Sequence, residues 1–151
     1  MISADTNLFI YAIDDRAPDK CRVAADVLEE LQRRSDIIVG LQVVGEFQNA
    51  LRRRLRAPPW VAYQAARNLL MRFPSFSYDE TAVDAALGEA IVGRLSYWDA
   101  LLLAAADAAG VKVMISEDMA DGLEFGGLRV INPFGPEGPS ERVREVLDIA
   151  P

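Results

Sequence analysis

Asp5, Glu46, Asp99 and Asp118 stand in otherwise apolar stretches of the chain, each where a strand is about to end or a helix has just begun. A carboxylate is costly to bury unpaired, so several in apolar neighbourhoods need cationic partners or a shared metal ion. There is no histidine, and Cys21 is the only cysteine. That excludes an intramolecular disulfide, Cys–His and Ser–His nucleophilic chemistry, and the usual zinc and haem ligation. Any metal here is therefore held by oxygen, which suits a hard divalent cation. Each acid alone also has an ordinary reading. Asp5 and Asp118 could be a helix cap and a turn residue, Asp99 the acidic member of a capping box begun by Ser96, and Glu46 a solvated helix charge.

The elements that must position these acids alternate short β-like segments with longer helical ones, the pattern of a parallel sheet covered by helices. Strands are expected at Ile2 to Ala4, Asp36 to Gly40, Phe76 to Tyr78, Lys112 to Ser116 and Leu128 to Ile131. The fold class is therefore α/β, with a central five-stranded, mostly parallel sheet flanked by helices. Val23, Val27, Leu28 and Leu31 recur at helical spacing behind Pro18. Further helices are expected over Leu41 to Arg56, from Pro59 to about Phe73, over Asp79 to Arg94, and from Tyr97 to Ala109, the last nearly all apolar and so buried. Gly135 to Pro139 is rich in turn residues and leads to a short helical tail. The expected organisation is one domain over residues 1–134 and a linker with a short C-terminal helix over 135–151.

Of the 151 residues, 51% are hydrophobic and 26% charged, as in a globular protein with a real core. No apolar run approaches bilayer-spanning length, and strand-like sequence follows Met1 directly, so the expected location is the cytoplasm, away from membranes. The net charge of −7 looks wrong for a nucleic-acid binder, yet four of those charges belong to the candidate metal ligands. Locally, Arg52, Arg53, Arg54 and Arg56 form a basic run behind Glu46.

Placed together, the acids favour a site. Ligand groups of open parallel sheets gather beyond the carboxyl ends of the strands, where Asp5 and Asp118 both fall. Asp99 opens the buried helix, and Glu46 lies one turn into its helix beside Val43, Val44 and Phe47. The chain resembles the PIN-domain ribonucleases, most closely the VapC-type toxins of toxin–antitoxin systems. The likeness rests on Asp5-Thr6-Asn7 after a hydrophobic strand, Glu46, Trp98-Asp99-Ala100 at the start of an alanine-rich helix, and Ser116-Glu117-Asp118-Met119 followed by Asn132-Pro133-Phe134. It covers residues 1–134.

The resemblance implies that Asp5, Glu46, Asp99 and Asp118 form an acidic quartet binding Mg²⁺, with Mn²⁺ as a substitute. Asn7 and Ser116 are the candidates for orienting those carboxylates, whereas Glu117 and Asp121 read as solvated charges. The implied activity is endoribonuclease cleavage by metal-activated water, leaving 5′-phosphate and 3′-hydroxyl ends. Arg53, seven residues beyond Glu46 and so on nearly the same helix face, is the candidate for holding an RNA phosphate. A cognate antitoxin and a homodimer are the implied protein partners, with Trp60, Tyr63 and Phe73 as possible dimer contacts or simple core residues. The competing class is a PIN-like scaffold that binds RNA or protein without significant nuclease activity. A haloacid-dehalogenase-like phosphatase is disfavoured because the second aspartate it needs falls on Asn7.

Overall fold

The computed structural model describes residues 1–149. Among these residues seven helices surround a mixed sheet. Strand β1 (Ile2–Ala4) leads into α1 (Thr6–Tyr11) and α2 (Pro18–Arg33), and β2 (Val39–Gly40) runs straight into α3 (Leu41–Arg53). Then come α4 (Pro59–Arg72), β3 (Ser75–Phe76), α5 (Glu80–Val92), α6 (Tyr97–Ala108) and β4 (Val113–Ile115). The chain closes with β5 (Glu124–Phe125), β6 (Leu128–Ile131), β7 (Phe134–Gly135), β8 (Gly138–Pro139) and α7 (Glu141–Leu147).

The principal sheet has four strands, not the five expected, in the order β1-β4-β6-β5. Strands β1, β4 and β6 are parallel, and β5 folds back antiparallel on β6 through Gly126 and Gly127. Of the expected second and third strands, Val39–Gly40 and Ser75–Phe76 do extend, but they pair with each other as a separate two-stranded ribbon. That ribbon reaches the main sheet through one bridge, Ile2 to Ile37, where Ile2 donates to the carbonyl of Asp36 and accepts from Ile38. Each of the two strands is only two residues long.

Local chemistry explains most helix ends. Asp5, Asp79, Ser96 and Ser140 each cap a helix by accepting backbone N–H groups, while Pro18 and Pro59 open α2 and α4. Gly93, with φ 74°, ends α5 in the left-handed region. Helix α6 buries Ala100 to Ala106 almost completely. Each of its leucines contributes about 2 kcal/mol of hydrophobic stabilisation, and the alanines let neighbouring elements approach closely. Gly40 works with them. A β-carbon there would stand 3.1 Å from Leu102 and 3.2 Å from Phe76, so glycine brings the start of α3 against α6. The tail docks on the domain, with Val143 and Leu147 buried and α7 packed on α2. Among the described residues no helix is long and apolar enough to cross a membrane.

Candidate active site

The parallel register of β1 on β4 sets Ala4 beside Ile115, and one step further brings Asp5 beside Ser116. The backbone N–H of Asp5 donates to the carbonyl of Ile115 at 3.0 Å, closing the ladder just below the site. From there Asp5 does two jobs. Its Oδ1 accepts from the N–H groups of Asn7 and Leu8, capping α1, while its Oδ2 accepts the hydroxyl of Ser116. The cap reading and the site reading of Asp5 therefore describe one side chain.

A cleft of about 210 Å³ collects the other acids, lined by Asp5, Thr6, Asn7, Gln42, Glu46, Ala50, Asp99, Leu102 and Asp118. Glu46 enters from α3 with both oxygens engaged: Thr6 Oγ1 donates at 2.7 Å and Gln42 Nε2 at 2.9 Å. Gln42 also donates to the carbonyl of Trp98 at 3.1 Å, tying α3 to the first turn of α6 next to Asp99. Asp99 accepts the Ser96 hydroxyl at 2.7 Å while its own N–H donates to the same oxygen at 3.1 Å. Asp118, in the bend after β4, accepts from Asn7 Nδ2, and Arg54 Nη1 donates to Asn7 Oδ1 at 2.9 Å.

Crowding shows in the electrostatics. Asp5 is pushed from 3.8 up to about 7, first by burial and then by the charge of Asp118; the Ser116 hydroxyl and the α1 amides oppose the shift. Asp118 is also raised, by burial and by Glu117 and Asp99, against the pull of Arg54 and Lys20. Such a cluster favours a cation at its centre.

The donor set fits a hard divalent ion in type and number, with four carboxylates and an acid whose ionised form a nearby cation would relieve. The side chains are not gathered to a common point, however. Among the described residues no three acids stand close enough to hold one ion, because Glu46, Asp99 and Asp118 each turn to a neighbouring donor.

All four acids and Asn7 line the cleft, and Ser116 reaches it through Asp5. Arg53 is exposed and its side chain makes no hydrogen bond among the described residues; Arg54 is the arginine that meets the cluster. Glu117 pairs with Lys20 at 2.6 Å, and Asp121 accepts from Arg142 at 2.7 Å and from the Asn132 N–H, so both have partners outside the cleft. Trp60 and Tyr63 are exposed, while Phe73 packs on Phe9. Thr6 and Gln42 are contributors that sequence reasoning missed. For Gln42 the signal was its i, i+4 relation to Glu46.

The chain belongs to the PIN domain family, whose model matches residues 2–120. No curated protein matches it by sequence. Among solved structures it is similar to a toxin–antitoxin complex from Klebsiella pneumoniae, with TM-score 0.63 and 19% identity over 89% of this chain and 98% of that one. It is similar also to Mycobacterium tuberculosis VapC20, described as a sarcin–ricin-loop-cleaving toxin, with TM-score 0.57 and 17% identity over 81% and 91%. A third is VapBC2 from Rickettsia felis bound to a promoter DNA fragment, with TM-score 0.55 and 17% identity over 77% and 87%. At these identities the likeness is one of fold.

Proposed function

We propose that the chain is a VapC-like toxin, a Mg²⁺-dependent endoribonuclease that also accepts Mn²⁺ and is neutralised by a cognate antitoxin. The observation that carries this reading is the convergence of Asp5, Glu46, Asp99 and Asp118, from four separate elements, on one cleft at the carboxyl ends of β1 and β4. Membership of the PIN family supports a nuclease, and fold neighbours that include a described RNA-cleaving toxin and toxin–antitoxin complexes support the toxin and its partner.

When bound, a divalent ion supplies a lowered pKa for water and neutralises charge on the phosphoryl group. The residues do the rest. Asp5 and Asp99 would be the principal residues to hold that ion, with Glu46 and Asp118 beside them. Ser116 fixes the rotamer of Asp5, Thr6 and Gln42 fix Glu46, and Asn7 holds Asp118. Buried Asp5 must be ionised to bind a cation, so proton and metal compete there. Cleavage in line leaves 5′-phosphate and 3′-hydroxyl ends. The antitoxin has an apolar groove of about 420 Å³ to use, lined by Phe9, Ile13, Leu28, Phe47, Leu69 and Phe73 among others. Dimerisation would draw on exposed apolar residues such as Ile91 and Val92 on α5 or Trp60 on α4.

The test is incubation of a mixed RNA pool with Mg²⁺ or Mn²⁺, comparing wild type with Asp99→Asn and sequencing the new ends. Metal-dependent cuts with 5′-phosphates that vanish in the variant are expected. Identical behaviour of the two proteins would discredit the acids as a catalytic site and favour a scaffold that acts by binding.

A further inference from the structure

One ridge of α3 crosses the cleft and ends on a cation. Gln42, Glu46 and Ala50 line the cleft at successive i, i+4 positions, and Arg54, the C-cap of α3, is the next residue on that row. Its Nη1 donates to Oδ1 of Asn7 at 2.9 Å, and its guanidinium carbon lies 6.0 Å from the centre of the Tyr11 ring. The guanidinium is therefore held at the rim by a neutral amide and an aromatic ring. It takes part in none of the ion pairs among the described residues. Neighbouring cations differ. Lys20 is neutralised by Glu117 at 2.6 Å, and Arg52 is turned away to the carbonyl of Ala57 at 2.6 Å.

An arginine that spends one N–H on a neutral acceptor keeps four for an anion, and its planar fork matches two phosphate oxygens. A cleft that concentrates carboxylates repels a polyanion unless some positive charge at its rim offsets them, and Arg54 supplies that charge beside Asp118. We propose that Arg54 is a substrate-binding residue that holds an RNA phosphate next to the scissile one, with Tyr11 and Asn7 keeping its guanidinium aimed. The inference rests on the ribonuclease reading above.

The experiment is binding of a fluorescein-labelled single-stranded RNA of mixed sequence, followed by anisotropy across a salt series. The full chain is used with Asp99→Asn present to prevent cleavage. Arg54→Gln is expected to weaken binding about tenfold and to lower the salt slope by about 0.7, the contribution of one phosphate contact on a single strand. Arg54→Lys recovers part of the loss, and Arg52→Gln and Arg53→Gln change affinity less than about twofold. In the otherwise wild-type chain, Arg54→Gln keeps the Mn²⁺-induced rise in Tm. An unchanged affinity, or an equal loss at Arg52 or Arg53, overturns the proposal. So does loss of the Mn²⁺ response, which would make Arg54 a positioning residue for Asp118 through Asn7. If wild type cleaves RNA while Arg54→Gln binds like its parent, only this inference fails. If wild type neither binds nor cleaves RNA, the ribonuclease reading fails and this falls with it.

Discussion

Asp5→Asn should destroy cleavage yet make the metal-free protein more stable. The side chain is 7% exposed and titrates near 7 in the fold, against 3.8 ordinarily. Between those values the folded state holds a proton that the unfolded state has released, so wild-type stability falls as pH rises from about 4 to about 7 and stays low above that. At pH 8 the ionised carboxylate costs the fold about 4 kcal/mol, or on the order of 10 °C in Tm for a chain of this size. Asparagine removes that cost. It caps a helix as well as aspartate does, so the bonds from Asn7 and Leu8 survive, and its amide can donate to Ser116 Oγ where the carboxylate accepted. The assay is thermal melting of both proteins in chelator at pH 8 and pH 4. The variant should melt higher at pH 8, with the gap shrinking to about half a kcal/mol at pH 4. Saturating Mn²⁺ should raise wild type alone, by about 3 kcal/mol at a hundredfold excess over Kd. A variant less stable at pH 8, or a gain as large at pH 4, would refute the claim that burial of this charge strains the site.

Two further substitutions probe the residues that hold the acids. The Ser116 hydroxyl stabilises ionised Asp5, so Ser116→Ala should raise the Asp5 pKa further and move the acidic limb of kcat/KM to higher pH; a limb that stays in place removes Ser116 from that role. Gln42→Leu leaves one Glu46 oxygen and the Trp98 carbonyl without their donor, and should lower Mn²⁺ affinity roughly 10- to 100-fold by isothermal titration; full affinity would mean that Thr6 alone positions Glu46.

What could be read in the sequence followed from strong local signals. Pro18, Pro59 and Ser96 mark helix starts by backbone chemistry that needs no tertiary information, and α2, α4 and α6 lie within a residue or so of where those signals put them; Gly93, which ends α5 before the expected Arg94, is a stop that sequence reasoning missed. The strands were harder. Ile37 to Gly40 has the β-branched composition of a core strand, but composition is silent on which neighbour a strand pairs with, and here Val39 and Gly40 pair with residues 75–76 while only Ile37 bridges the main sheet. The hairpin formed by β5 and β6 depends on Gly126 and Gly127, a short turn signal inside a stretch that otherwise reads as polar loop.

The site shows the same division at finer scale. Acids at strand ends and helix starts are visible because parallel α/β topology sends those positions to one edge, which brought Asp5, Asp99 and Asp118 together without knowledge of a single contact. Which arginine joins them was not visible. Angular spacing on an ideal helix favours Arg53, about 20° from Glu46, over Arg54 at about 80°. The cleft, however, crosses α3 obliquely along the i, i+4 ridge, and Arg54 sits where α3 ends and the chain is about to turn. A helical wheel describes a cylinder in isolation; the path of a neighbouring cleft across that cylinder depends on where α1 and α6 pack against α3. The partner Arg54 meets there is Asn7, forty-seven residues away, which no spacing within α3 could reveal.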